Sequence, residues 1–281
     1  MTFKNDLSLI NSMKLNKLLP LNDFNSSLQF LFSDIDDTMT DEGLLTTEAY
    51  EALWNLNKNK IKVIPVTGRP AGWCEMIARM WPVDGIIGEN GAFYFSYKNK
   101  KMNRYFFEDE KTRLINQQKL ANIQTEIFNK VPKAALSSDQ FCRLFDLAID
   151  FCEDITPLSI DEKQLIVDIF NSHGAQAKIS SIHINGWFGN YNKVTMILKY
   201  LEQVYQIDKI NALEICGFSG DSPNDEPSFE LFKHSFGVAN ILNFKDQLKF
   251  PPKYISPSKG GKGFVEIAEQ IIKKSKITAH D

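Results

Sequence analysis

Cysteine is scarce in this chain. The four in 281 residues, at positions 74, 142, 152 and 216, form no CxxC pair and no histidine-spaced ligand set. That excludes a disulfide-stapled scaffold and a zinc ribbon, and it suits free thiols in a reducing cytoplasm. Long apolar runs are also missing. No stretch approaches the roughly 18–20 residues of a membrane helix, so no membrane role is expected. Residues Met1–Ser27, rich in Asn, Lys and Leu, lack the apolar centre and small-residue cleavage site of a signal peptide. They read as a helical or partly disordered extension. Nor does one sign of charge dominate: 32 basic against 35 acidic side chains leave a net charge of −3. The basic clusters near Lys98–Lys101 and Lys259–Lys262 are short, so neither nucleic acid nor an anionic membrane is expected as the main partner. No internal repeat or low-complexity tract is evident.

What is present is apolar bulk and a strand–helix rhythm. With 43% hydrophobic residues the chain can bury a sizeable core, in one large or two moderate domains. Short apolar runs end in polar turns: Leu28–Ser33 before Asp34, Lys62–Val66 before Thr67-Gly68-Arg69-Pro70, Gly85–Gly88 before Glu89-Asn90-Gly91, and Leu213–Phe218 before Ser219-Gly220-Asp221. Helical patterns at Thr47–Asn57, Ala71–Met80 and Lys193–Val204 lie among them. This alternation predicts an α/β fold, a doubly wound, Rossmann-like parallel sheet. The middle differs. Phe93–Tyr97 and Met102–Phe107 read as a hairpin, Arg143–Phe151 and Ile179–Phe188 as further strands, and Leu114–Asn129 and Asp161–Asn171 as helices. We therefore expect residues 1–27 as an extension, 28–91 and 189–281 as the core, and 92–188 as an inserted α+β cap.

Three carboxylates fall within four residues where the first run ends: Asp34, Asp36 and Asp37. Ligand sites of open α/β sheets lie at the carboxyl ends of strands, and crowded acids there call for a cation. Asp34 can serve as a nucleophile. Asp36, two residues on, points the same way if the chain stays extended, and can pass protons. Thr67, with its own backbone N–H and that of Gly68, can hold anionic oxygens at a helix start. Lys193 offers positive charge, with Lys199 as a competitor. Asp221 and Asp225, across the turn Gly220-Asp221-Ser222-Pro223-Asn224-Asp225, add oxygen ligands suited to Mg²⁺. Together these residues describe phosphoryl transfer through an aspartyl-phosphate.

With these residues in view, the sequence resembles the haloacid dehalogenase-like phosphohydrolases. DxDxT is matched by Asp34-Ile35-Asp36-Asp37-Thr38, the second-motif threonine by Thr67, the lysine by Lys193, and GDxxND by Gly220–Asp225, all in the family's order. The large insert is similar to the cap of the Cof-like and sugar-phosphatase branch, which includes trehalose-phosphate, sucrose-phosphate and mannosyl-phosphoglycerate phosphatases. The resemblance implies that Asp34 attacks phosphorus and that Asp36 is the proton donor and acceptor. It implies that Mg²⁺ is held by Asp34, the Asp36 carbonyl and Asp221. Thr67, Gly68 and Lys193 would hold the phosphoryl group, with Asn224 there or at the metal and Asp225 in support. Asp37 departs from the family, which often has glycine there.

Outside these motifs, Arg69 either contacts substrate or pairs with an acid, and Glu89-Asn90-Gly91, with Asn90 as its candidate site residue, is either a plain turn or a substrate or hinge element. In the strand near 180–188, Ser181, His183, Asn185 and Trp187 share one face, which reads as a polyol-binding surface or a solvent face. Asp146 and Asp150 could join it. The expected function is a cytoplasmic Mg²⁺-dependent phosphatase acting on a small phosphorylated metabolite, a sugar phosphate first. A phosphotransferase or mutase of the same fold, or a non-catalytic binding protein, are the rival readings. The sequence leaves the oligomeric state open.

Overall fold

A computed structural model of the protein describes residues 18–180 and 182–277. In chain order the strands are β1 (Leu19–Pro20), β2 (Phe30–Ser33), β3 (Lys62–Pro65), β4 (Ile86–Gly88), β5 (Phe93–Lys98), β6 (Lys101–Phe106), β7 (Ala135–Leu136), β8 (Leu147–Asp150), β9 (Gln176–Ile179), β10 (His183–Trp187), β11 (Cys216–Gly220), β12 (His234–Gly237) and β13 (Tyr254–Ile255). The helices are α1 (Thr47–Lys58), α2 (Ala71–Met80), α3 (Glu110–Lys130), α4 (Ile160–Ser172), α5 (Lys193–Tyr205), α6 (Lys209–Ile215), α7 (Glu226–Leu231) and α8 (Gly260–Ile277). The residues fall into two compact units. The first takes in the chain up to Leu31, Asp37–Ile61 and everything from Leu213; the second takes in Phe32–Asp36 and Lys62–Ala212.

In the first unit β1, β13, β12 and β11 pair in that order, all parallel. β2 follows β11 in the sheet order. Phe30, Leu31 and Phe32 are all fully buried, as expected of a strand covered on both faces. Leu19–Pro20, within the stretch read as an extension, are thus strand rather than helix or loose chain, and Phe24 lies buried edge-on to Phe236 at 5.0 Å and to Tyr254 at 5.5 Å. Residues 1–17 of that stretch lie outside the described residues. α8 packs along α1, whose first turn is capped by the Thr46 hydroxyl accepting from Ala49 N. The expected strand from Leu213 begins only at Cys216, because the preceding residues complete α6.

In the second unit the latter half of β2 meets the residue after β3, where Val66 N donates to Ser33 O. Two antiparallel sheets follow, β4-β5-β6 and β7-β8-β10-β9. The run ending at Gly88 was expected in the parallel sheet; instead β4 pairs antiparallel with β5 and touches Val66 only through a single parallel bridge at Ile87. The reason is local. Glu89, Asn90 and Gly91 all have positive φ (42°, 58° and 104°), which turns the chain back on itself. α3 and α4 cover the four-stranded sheet through Leu120, Ile123 and Ile127 on one helix and Ile166, Ile169 and Phe170 on the other, against Leu147, Ile149 and Ile184. Gly186 makes this possible: a Cβ there would fall 2.0 Å from the Phe170 ring. The stretch read as a strand over Arg143–Phe151 pairs as strand only at Leu147–Asp150, because residues 144–146 give their backbone N–H groups to a buried side chain instead.

Candidate active site

Directly after β2, in the second unit, Asp34 and Asp36 find basic partners. Lys193 opens α5, where Asn192 caps the helix by accepting from Thr195 N at 2.9 Å. Its Nζ donates to Asp34 Oδ1 at 2.6 Å, with both residues buried. An ammonium held this close keeps a carboxylate oriented and offsets its charge. Asp36 is gripped by Arg69: Nε lies 3.1 and 3.2 Å from the two carboxylate oxygens and Nη2 is 2.8 Å from Oδ1. Of the two readings left open for Arg69, the structure shows pairing with an acid. Burial works against its charge, but Asp36 first, then Glu153 and Asp139, raise its pKa above the ordinary value.

Thr67 is fully buried at the turn after β3. Its own N–H was expected to face an anion but donates to Ile87 O at 2.9 Å, so the backbone bridge to β4 consumes it. Its hydroxyl accepts from Arg69 N at 3.0 Å, which leaves the hydroxyl proton to give. Gly68 packs beside the Asn90 side chain, and its carbonyl accepts from Arg143 Nη1 at 3.0 Å. Asn90 shapes the turn: its N–H donates to Thr67 O.

Sequence reasoning missed Arg143, and it placed Glu89 in a turn or hinge without foreseeing its role as a buried acceptor. Glu89 is fully buried, and its carboxylate accepts from the backbone N–H groups of Ala71, Leu144, Phe145 and Asp146 at 2.6–3.2 Å. It therefore caps α2, whose N-cap Pro70 has no side-chain acceptor of its own, and anchors the loop before β8. Burial, and then the charge of Asp146, push its carboxyl up to about 8 against the pull of Arg143. Arg143 is almost wholly buried, bound to Asp139 through Nε at 2.9 Å and to Asp146 through Nη1 at 3.1 Å. A lone arginine at the head of an apolar run was the available signal, since a buried guanidinium needs acids around it.

The strand face expected to meet a polyol or solvent is instead buried within the second unit. His183, Asn185 and Trp187 are each nearly inaccessible, and Ser181 lies outside the described residues. Asn185 donates to Asp146 Oδ2 at 2.8 Å, so Asp146 does join that face. Asp150 instead accepts from the N–H groups of Cys152, Glu153 and Asp154 and closes a turn. Trp187 stacks on Tyr191 with ring centroids 6.0 Å apart, packing rather than presenting a plate. His183 Nε2 lies 2.7 Å from Glu153 Oε2, off hydrogen-bond direction. Burial, then Arg143, lowers its pKa.

In the first unit Asp221 follows β11. Its Oδ1 accepts from Thr38 Oγ1 at 3.2 Å, and its N–H donates to Asp225 Oδ2 at 3.1 Å. Asp225 is fully buried against Gly220, where a Cβ would fall 2.4 Å from Oδ2. Asn224 is half-buried in the short turn Pro223–Asp225. Asp37 has φ +57° and donates its N–H to Thr40 Oγ1. This accounts for the departure noted in the sequence: the position needs a left-handed residue, which glycine adopts freely and aspartate tolerates.

Residues 31–141 match the family model of the haloacid dehalogenase-like hydrolases. The chain is similar to that family. The matched span contains Asp34, Asp36 and Thr67 but ends before Lys193 and Asp221. No curated protein sequence matches. Solved structures agree with the haloacid dehalogenase-like fold. A Thermoplasma acidophilum protein superposes with a TM-score of 0.68 at 17% identity, over 87% of this chain and 98% of that one. A Synechocystis sucrose-phosphatase, solved with sucrose and phosphate, gives 0.59 at 17%, over 87% and 98%. A haloacid dehalogenase subclass IIB sugar phosphatase gives 0.61 at 14%, over 89% and 99%. Family match and solved structures together support the haloacid dehalogenase-like hydrolase fold. Among the described residues no helix is long and apolar enough to cross a membrane.

Proposed function

We propose that this protein is a Mg²⁺-dependent, cytoplasmic phosphatase of small phosphorylated metabolites, a sugar phosphate first. The observation that carries the reading is Lys193 Nζ at 2.6 Å from Asp34 Oδ1, with Asp36, the proton carrier two residues on, under the grip of Arg69. An Asp34 oxygen attacks phosphorus, the bond from phosphorus to the leaving oxygen breaks, and that oxygen takes a proton from Asp36. Water then gives its proton to Asp36 as its oxygen attacks phosphorus. This frees phosphate and restores the Asp34 carboxylate. Lys193 and the Thr67 hydroxyl hold phosphoryl oxygens, with Gly68 and Asn224 contributing.

Asp34 in the second unit and Asp221 and Asp225 in the first are buried carboxylates, the residue type a metal ion needs. We assign the ion to Asp34, the Asp36 carbonyl and Asp221, with Asp225 holding Asp221 in place through its N–H. An all-oxygen set without histidine or cysteine suits a hard ion such as Mg²⁺. Bound there, Mg²⁺ would offset charge on the phosphoryl oxygens. We further propose residues 28–91 and 189–281 as the catalytic core and 92–188 as a cap that selects the leaving group. The sugar-phosphate choice draws on the relatives that are themselves sugar phosphatases.

The test is a screen of phosphorylated metabolites for free phosphate, without an acceptor sugar, with Asp34→Asn as the blank. Substrate-dependent release that chelation abolishes and Asp34→Asn lowers by at least about 10³-fold is expected. Equal release by Asp34→Asn would refute the nucleophile; turnover unaffected by excess chelator would refute the metal. Phosphate passed only to an added sugar would make the protein a phosphotransferase.

A further inference from the structure

Arg69 stands among more acids than one guanidinium can satisfy. Its Nε and Nη2 engage Asp36, while Nη1 lies 3.5 Å from Glu153 Oε1 and 3.9 Å from Asp139 Oδ2. The last two are ion-pair distances, too long for hydrogen bonds. Asp139 is unevenly used. Its Oδ1 accepts from Ser137 Oγ at 2.6 Å and from Arg143 Nε at 2.9 Å, whereas Oδ2 is buried and, among the described residues, without a hydrogen bond. A buried carboxylate oxygen without a donor is costly. Movement of the guanidinium by about 1 Å would bring Nη1 to hydrogen-bond length from it. The Trp73 ring, 4.6 Å from the guanidinium carbon, offers a flat face along which such a planar group can shift without losing its contact. Arg143, by contrast, is fixed between Asp139, Asp146 and the Gly68 carbonyl.

We propose that Arg69 is a positioning residue with two stations. In one it holds the Asp36 carboxylate; in the other it rests on Asp139 Oδ2 and Glu153, and Asp36 is released to the oxygen of a leaving group. The role given to Asp36 rests on the phosphatase reading, but the two stations are a property of the chain itself. Both Asp36 oxygens are engaged by Arg69 as the structure stands, so a leaving oxygen must displace the guanidinium before Asp36 can serve it. The unpartnered Asp139 oxygen gives the displaced group somewhere to go.

Two experiments decide this. The first is a crystal structure of Asp36→Asn, which removes the charge at the first station and keeps its shape. Arg69 Nη1 is expected within about 3.2 Å of Asp139 Oδ2; a guanidinium still on residue 36, or turned to solvent, overturns the proposal. The second is steady-state kinetics of Asp139→Asn, whose Oδ1 can still serve Ser137 and Arg143 while its amide faces Arg69. A fall in kcat of about 10-fold or more with KM changed less than about twofold is expected, since only the release of Asp36 is impaired. Unchanged kcat, or a change confined to KM, overturns it. Should Asp139→Asn not fold, the Asp36→Asn structure decides alone. Should the wild type release phosphate from nothing tested, the phosphatase reading falls and the crystal structure still settles whether Arg69 has a second station.

Discussion

The three acids of Asp34-Ile35-Asp36-Asp37 look alike in sequence and differ wholly in the fold. Asp34 meets an ammonium, Asp36 a guanidinium, and Asp37 a backbone requirement. The last can be tested without reference to chemistry. At φ +57° a non-glycine residue carries strain, about 1–2 kcal/mol for one with an ordinary Cβ, which glycine escapes at the expense of unfolded-state entropy. Asp37→Gly is therefore expected to match wild-type stability within about 1 kcal/mol, whereas Asp37→Val should lose more than about 1 kcal/mol. Denaturant titration of both variants measures this; equal stability of Gly and Val at position 37 would contradict it. Lys193 and Asp34 were legible as site candidates because each stands at an element boundary, the first residue of α5 and the residue after β2. Glu89 and Arg143 were less so: the backbone partners of Glu89 lie 18 to 57 residues away in sequence, and Arg143, though only four and three residues from Asp139 and Asp146, meets them in a loop whose shape no periodicity shows.

At the scale of elements, α1, α2, α4 and α5 were legible almost to the residue, whereas α3 begins a turn before its expected start and α6 was read in part as strand. α1, α2 and α5 carry clear apolar stripes, and α1 and α5 also carry side-chain caps. Strands fared worse where their partner was not the expected one. β4 reads as one more parallel strand until three consecutive left-handed residues fold β5 back on it, and positive φ is only hinted at by Asn-Gly. The face of β10 read as polar and open, but alternation shows only which residues share a face, not what covers it. Helix α4 covers the opposite face, and its fit depends on Gly186. Because a Cβ there would overlap the Phe170 ring, Gly186→Ala is expected to cost about 1–3 kcal/mol through overpacking. Thermal melting checks it. A paired Gly186→Ala, Phe170→Leu variant should recover part of the loss; no recovery would place the strain elsewhere.

For the whole molecule, the balance of buried charge makes stability depend on pH. Glu89 ties the start of α2 to residues 144–146 and carries a carboxyl raised by burial to about 8 from an ordinary 4.5. The native state therefore holds a proton that the unfolded chain has already released between those values. Linkage gives the sign: where the native state binds more protons, stability falls as pH rises. This contribution is complete below about 4.5 and is lost as pH climbs through about 8. Four backbone donors pull the other way, because they favour the charged carboxylate, so the experiment also weighs burial against hydrogen bonding. Glu89→Gln cannot titrate. It should be less stable at low pH, since one amide oxygen replaces two acceptors, yet its stability should decline less than that of the wild type between pH 5 and 8. Urea unfolding of both proteins at several pH values across this window gives the two slopes. Parallel slopes would mean that the four N–H groups keep Glu89 ionised in the native state. The same carboxylate would then be a charged clasp rather than a protonated one.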